Sequence, residues 1–446
     1  MPKLKKQEEK SESKKSRIKS STPQLLKGFK DILPSEQIYW RYVRKAAENL
    51  ASTYGFDEIG LPILEELNLF VRSIGKQTDI VEKEMFSFTD KTNGSVALRP
   101  EATASVVRAY INHGMLNQPQ PVKLYYWGPM FRREKPQSGR LRQFHQFGFE
   151  VIGDNNPVID AQLVVLAYNF YKQIGLNQVS IQINSIGCSE CRKAYREELI
   201  NYYKAKRKVL CEDCKNRLVK NPLRLLDCKE AGCQPLKAEA PQIIDWLDEE
   251  CKAHFMKVID FLDELDIPYI LNPYLVRGLD YYTKTVFEIW PDDKEQGSQD
   301  VLAGGGRYDG LVASIGGREQ TPAVGFSVGI ERTILQLKEK EVKMPVKSIP
   351  EIFLAQIGDS AKVKAMILFE ELRQQKIKVA ENFTKDGLKT QLELADKLGV
   401  KYVLILGQKE VIDGTVMIRD MESGVQEIVD FKKVINEIKK KLKNNK

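Results

Sequence analysis

Apolar side chains recur every fourth residue from Ile38 to Leu50. Ile38, Tyr42, Ala46 and Leu50 share one stripe, with Trp40, Val43 and Ala47 alongside. This spacing predicts an amphipathic helix over 36–54, ended by Gly55. A strand follows over 56–64, interrupted by Pro62. Shorter strand-like runs come at 84–89, 95–98, 123–133 and 143–152, set off by turn residues such as Asn93 with Gly94 and Ser138 with Gly139. Helices fill 101–112 and 158–174. Strands return at 285–290, 301–303 and 323–328, and the last runs into a helix over 330–338. Strands joined by short polar turns imply antiparallel pairing, so the fold class expected is α+β with an antiparallel sheet.

The same pattern divides the chain. Residues 1–22 have almost no large apolar side chains and are expected to form a disordered basic tail. Residues 23–345 read as one sheet-forming core. Within it, 186–258 turns helical, charged and cysteine-rich, and reads as an inserted domain. Strand and helix then alternate over 349–446, as expected of a separate α/β domain of ordinary size. The chain of 446 residues exceeds the ~250–300 at which single cores stop growing, which agrees with more than one domain.

Composition narrows the class without choosing a function. At 42% apolar and 29% charged the chain reads as a soluble globular protein, and no run approaches the ~18 uncharged apolar residues of a membrane span. The lysine-rich start has no apolar h-region, so a cytosolic location is expected. The net charge of +8 permits a nucleic-acid partner but equally serves solubility.

Chemistry concentrates in a few stretches. MFRREKPQSGRLRQFHQFGFE, residues 130–150, crowds Arg132, Arg133, Lys135, Arg140 and Arg142 around Glu134 and closes on Glu150. Read as a hairpin, it gives 132 and 134 a shared strand face, and likewise 146, 148 and 150. A strand-borne arginine suits a phosphate because its planar fork bonds bidentately. LVRGLDYYTKTVFE (275–288) sets Arg277 and Asp280 beside two tyrosines. AGGGRYDGL (303–311) has neither a P-loop's GK[ST] nor a G-x-G-x-x-G spacing, so its glycines are read as allowing close approach to a flat ligand. AVGFSVGIERTI (323–334) puts Arg332 in the first turn of a helix, a poor match to the helix dipole that suggests a compensating anion.

These segments resemble a known family. FRRE, GIER and the upstream KGFKDILP look like motifs 2, 3 and 1 of class II aminoacyl-tRNA synthetases, and LVRGLDYYTKTVFE and AGGGRYDG mark histidyl-tRNA synthetases within that class. TDIVEKEMFSFTD and ALRPEATASVVRA add to the match. The resemblance implies a bacterial-type enzyme that joins L-histidine to its tRNA in two steps, using ATP and Mg2+. It implies that Arg132 meets the α-phosphate, Arg332 the γ-phosphate, and Arg277 the α-phosphate together with the substrate carboxylate, while Glu134 holds the nucleotide end. Glu101, Thr103 and Gln146 are expected at the substrate ammonium, Glu150 and Tyr282 at the imidazole, and Tyr308 nearby. Gln137, Arg140 and Arg142 are expected at the tRNA acceptor end, 349–446 at the anticodon, and motif 1 at a homodimer interface.

Two rival readings are a non-catalytic paralogue, such as the regulatory partner of ATP phosphoribosyltransferase, and a plain RNA-binding module. The first usually lacks the terminal domain and erodes the arginines. The second has no use for Glu101, Gln146 and Glu150 together. Six of the seven cysteines fall between 188 and 233, and the pairs Cys188/Cys191 and Cys211/Cys214 have the CxxC spacing of a tetrahedral zinc site. They are the expected ligands of one structural zinc, with free buried thiols as the alternative. His113, His145 and His254 have no partner spacing and are assigned neither metal nor base chemistry.

Overall fold

The computed structural model describes residues 22–75, 78–292, 301–318, 321–345 and 350–444. Apart from Thr22, the tail expected over 1–22 lies outside the described residues. The chain forms two compact units that divide between Met344 and Pro345.

The first unit contains strands β1 (Asp57–Glu58), β2 (Leu64–Glu66), β3 (Ser87–Thr89), β4 (Ser95–Leu98), β5 (Val122–Phe131), β6 (Gln143–Ile152), β7 (Val179–Ser185), β8 (Ile270–Leu271), β9 (Thr283–Pro291), β10 (Ala303–Arg307) and β11 (Ala323–Gly329). Its large sheet has the order β1-β5-β6-β11-β10-β9-β7-β8. Pairing is antiparallel from β5 to β7 and parallel only at the two edges. A small antiparallel sheet, β2-β4-β3, stands apart.

Alternation along β6 sets the two faces of the large sheet. Phe147, Phe149 and Val151 join a core with Val43 and Ala47 of the helix Gln37–Tyr54, Leu163 and Phe170 of Pro157–Gln173, Phe255 and Val258 of Glu249–Glu264, and Ile334 and Leu337 of Ile330–Glu339. Phe147 and Phe149 are fully buried, each contributing roughly 1.5–3 kcal/mol. The alternate positions, Gln146, Gly148 and Glu150, belong to the other face. That face carries the helix Thr103–Asn112 and the insertion, whose helices are Ser189–Ala205, Glu212–Lys220 and Gln234–Ala238. Residues 249–258 of the expected insertion lie in the helix that covers the first face, so they serve the sheet core as well.

The first helix ends where expected, with Gly55 at φ 71° donating back to Ala51 and Ser52. Three expectations fail, the first at 84–89, where Glu84 closes the helical turn Ile80–Glu84 and only Ser87–Thr89 forms a strand. The run 56–64 is not one strand: β1 has two residues and β2 begins at Leu64, because the Leu61 and Pro62 carbonyls accept from the Arg99 guanidinium instead of a neighbouring strand. The strand expected at 301–303 lies at Ala303–Arg307, so the glycines are the strand and not a loop beside it. Its interior places are crowded by Phe326 and Arg277, which leaves room only for glycine at 304 and 305.

In the second unit β12 (Ile352–Gln356), β13 (Val379–Glu381), β14 (Tyr402–Leu406), β15 (Thr415–Asp420) and β16 (Gln426–Asp430) form a sheet in the order β13-β12-β14-β15-β16, parallel over its first three strands. β12 and β14 are buried along their whole length because both faces are covered. Ile352 and Leu354 pack on the helix Asp359–Gln374, and Phe353 and Ala355 on Leu388–Leu398.

Candidate active site

A cleft of about 770 Å³ opens on the second face of the large sheet. β6, β9, β10 and β11 supply its floor through Gln146, Glu288, Gly304, Gly325 and Ser327, and the insertion supplies Leu226, Asp227 and Cys228 to its wall. The floor is open because glycines alternate into it. A Cβ at 304 would collide with the Arg277 guanidinium, and one at 325 with the Glu150 carboxylate.

Glu150 is 1% exposed, beneath the cleft lining. It accepts hydrogen bonds from Thr103 Oγ1 at 2.8 Å and Tyr308 OH at 2.5 Å. Burial pushes its carboxyl up to about 8, against the opposing pull of these two donors. Tyr282, expected beside Glu150, lies close enough for the Glu150 charge to act on its hydroxyl and lines the cleft above it. Tyr308 and Thr103 hold Glu150, while the Tyr282 ring packs 5.5 Å from the Arg277 guanidinium. Hydrogen bonding across β6, β11 and β10 brings 150 and 308 together, a proximity that sequence separation hides.

Glu101 accepts from the backbone N–H of Thr103 at 2.6 Å and Ala104 at 3.0 Å, at the first turn of the helix Thr103–Asn112. Burial raises its pKa and those amides oppose the rise. Gln146 Nε2 donates to Ser327 Oγ at 3.3 Å. Glu101, Thr103, Gln146 and Tyr282 all line the cleft.

Three arginines surround the same space. Arg277 pairs with Glu288 on β9. Burial opposes its charge, but Tyr282 and Glu288 beside it raise its pKa above the ordinary arginine value. Arg277 Nε is buried among the described residues without a hydrogen-bond acceptor. Arg132 donates Nε to Pro100 O at 3.0 Å and lies 5.3 Å from the Phe144 ring, with Glu134 at 3.8 Å. Arg332 donates to Val301 O at 2.7 Å and Gly139 O at 3.4 Å. Its position in a helix first turn is offset locally by Glu331, which accepts from the His145 backbone at 2.9 Å.

The loop differs from the expected strand faces. β5 ends at Phe131, so Arg132 and Glu134 are loop residues: the Arg133 N–H is diverted to Glu84 O at 2.6 Å. Arg140 turns inward to Glu134 at 3.0 Å and lines the cleft with it. Arg142 ties the loop to Lys27 O and Glu134 O, and Gln137 exchanges backbone hydrogen bonds with Arg140. Gln137 and Arg142 therefore stand outside the cleft lining.

Sequence reading missed Glu288 and Ser327. A charge or hydroxyl interrupting a buried strand pattern is the signal that marks each. Arg307, next to Tyr308, is instead a fully buried structural pair with Asp160, which also meets His254 at 3.2 Å. His145 Nδ1 lies 2.9 Å from Glu331. Both histidines have partners that their spacing does not show.

The expected zinc set is also corrected. Cys211 and Cys214 gather with Cys228 and Cys233, whereas Cys188 and Cys191 gather with Asp248 and Cys251. The two CxxC pairs begin different helices, Ser189–Ala205 and Glu212–Lys220, and packing sends them to different partners.

Known proteins resemble this chain in sequence and in fold. The histidyl-tRNA synthetase family profile matches residues 28–333, and the anticodon binding domain profile 351–441. The histidine–tRNA ligase of Dehalococcoides mccartyi strain 195 is 44% identical over 416 residues, covering 93% of this chain and 99% of its own. The apo S. aureus histidyl-tRNA synthetase structure matches with a TM-score of 0.77 at 36% identity, over 93% of this chain and 99% of that one. A Bacillus halodurans protein described as an ATP phosphoribosyltransferase regulatory subunit/histidyl-tRNA synthetase shares the fold, with a TM-score of 0.61 at 19% identity over 87% of this chain and 99% of its own. With the profile spanning every strand of the cleft, this chain belongs to the histidyl-tRNA synthetase family.

Proposed function

We propose that the chain activates L-histidine with ATP and transfers it to the 3′ end of histidine tRNA. A histidine carboxylate oxygen attacks the α-phosphorus, the bond to pyrophosphate breaks, and the tRNA hydroxyl then displaces AMP from the adenylate. The carrying observation is one cleft that holds Arg132, Arg277 and Arg332 together with Glu101, Thr103 and Gln146, above a buried Glu150. The nucleophile is already ionised at neutral pH, so the protein's contribution is positioning and neutralisation of phosphate charge. Arg132 and Arg277 serve the α-phosphate and Arg332 the γ-phosphate. Glu101 and Gln146 receive the ammonium, and the linked Thr103, Glu150 and Tyr308 meet the imidazole side with Tyr282.

Mg2+ fits the donor set, since carboxylate oxygens suit it and Glu84 and Glu134 both line the cleft close enough to interact electrostatically. Bound there, it would neutralise phosphate charge. The second unit takes the anticodon, and Gln137, Arg140 and Arg142 the acceptor end. Motif 1 and the helix after it form a homodimer interface, the chain works in the cytosol, and zinc in the insertion is structural. Among the described residues no helix is long and apolar enough to cross a membrane. The non-catalytic paralogue is disfavoured because the phosphate-facing arginines and the terminal unit are both present. ATP–pyrophosphate exchange decides: exchange that requires histidine is expected, and folded protein without it would overturn the reading.

A further inference from the structure

We propose that the chain holds two structural zinc ions in sites of different composition: Cys211, Cys214, Cys228 and Cys233 form one, and Cys188, Cys191, Cys251 and Asp248 the other. All seven cysteines of the chain belong to these two sets, and within each set the ligand atoms lie within 4.8 Å of one another. Four thiolates bound at about 2.3 Å to tetrahedral zinc stand about 3.8 Å apart. Cys211 and Cys228 are separated by 3.8 Å. In the second set Asp248 Oδ2 lies 3.2 Å from both Cys188 and Cys191 sulfurs, which lie 3.5 Å from each other.

The surroundings suit thiolates. Backbone N–H groups point at sulfur: Cys211 N to Cys233 at 3.4 Å, Cys214 N to Cys211 at 3.5 Å, and Asp248 N to Cys191 at 3.2 Å. Each occupied site would carry two negative charges, from zinc against four anionic ligands. Lys237 lies in electrostatic reach of Cys228, Arg192 of Cys188 and Cys191, and Lys284 of Cys251. Asp248 Oδ1 accepts from the Cys251 N–H at 2.7 Å, which fixes the carboxylate with its other oxygen toward the sulfurs.

The two ions have different tasks. The site that includes Asp248 joins the start of the helix Ser189–Ala205 to the start of Glu249–Glu264, closing the insertion at its root. The all-cysteine site ties the helix Glu212–Lys220 to the segment 228–233. Cys228 lines the cleft with Leu226, Asp227 and Lys229, so this ion fixes one wall of the substrate site. Zinc content is measured without turnover, so this inference stands or falls separately from the ligase reading.

The full chain, purified without chelator and checked for its fold by circular dichroism, is analysed by native mass spectrometry and elemental analysis. Two zinc ions per chain are expected. Cys228→Ser with Cys233→Ser lowers the count to one, and so does Cys251→Ser with Asp248→Ala. Should these variants misfold, a mercurial thiol titration of the unaltered protein is expected to release zinc in two phases. One ion or none, iron in place of zinc, or a disulfide within either set would overturn the two-site assignment.

Discussion

Arg277 is the residue on which adenylation is expected to depend most. Among the described residues of the cleft wall it combines a buried carboxylate partner, an aromatic face and an Nε without an acceptor. Arg277→Ala is expected to lower histidine-dependent exchange by roughly 10²–10³, the scale for losing one preorganised donor to developing charge. Filter binding should show tRNA affinity nearly unchanged, and equal loss of both would refute this role. Glu150 carries a pH signature. Its folded carboxyl is raised from 4.5 to about 8, so below 4.5 both folded and unfolded states hold the proton. Between those values the unfolded chain releases it first, and stability therefore falls as pH rises through about 8. Denaturant midpoints should decline over this window, and Glu150→Gln should flatten the decline. Parallel slopes in the two proteins would exclude Glu150 as its source.

At the scale of elements, the floor depends on glycine strands. Gly325→Ala places a methyl against Glu150, an overpacking expected to cost about 1–3 kcal/mol and to raise the KM for histidine more than that for ATP. Thermal melts with exchange kinetics check both parts, and unchanged histidine affinity would contradict it. Strands β6 and β11 and the helices Gln37–Tyr54 and Ile330–Glu339 were legible because a single side-chain period identifies each. β10 was not, since glycine carries no periodicity and disfavours strands by propensity. Only the close approach of Phe326 and Arg277 shows why it must be glycine.

At the scale of the molecule, two units divide the work. A chain ending at residue 344 is expected to retain histidine-dependent exchange while losing most aminoacylation. Removing 345–446 should also reduce the salt dependence of tRNA binding, by roughly 0.7–0.9 in the logarithmic slope for each phosphate that the second unit neutralises. An unchanged slope would place the electrostatic binding wholly on the first unit.

The sequence by itself determined the fold class and the family of this protein, because these are written in side-chain period and in short motifs. Tertiary structure decided which of those residues meet. Glu150 found Tyr308 across three paired strands, Arg277 found Glu288, and the two CxxC pairs parted to different partners. Each pairing depends on strand order or helix packing between residues distant in sequence, and no local pattern records that.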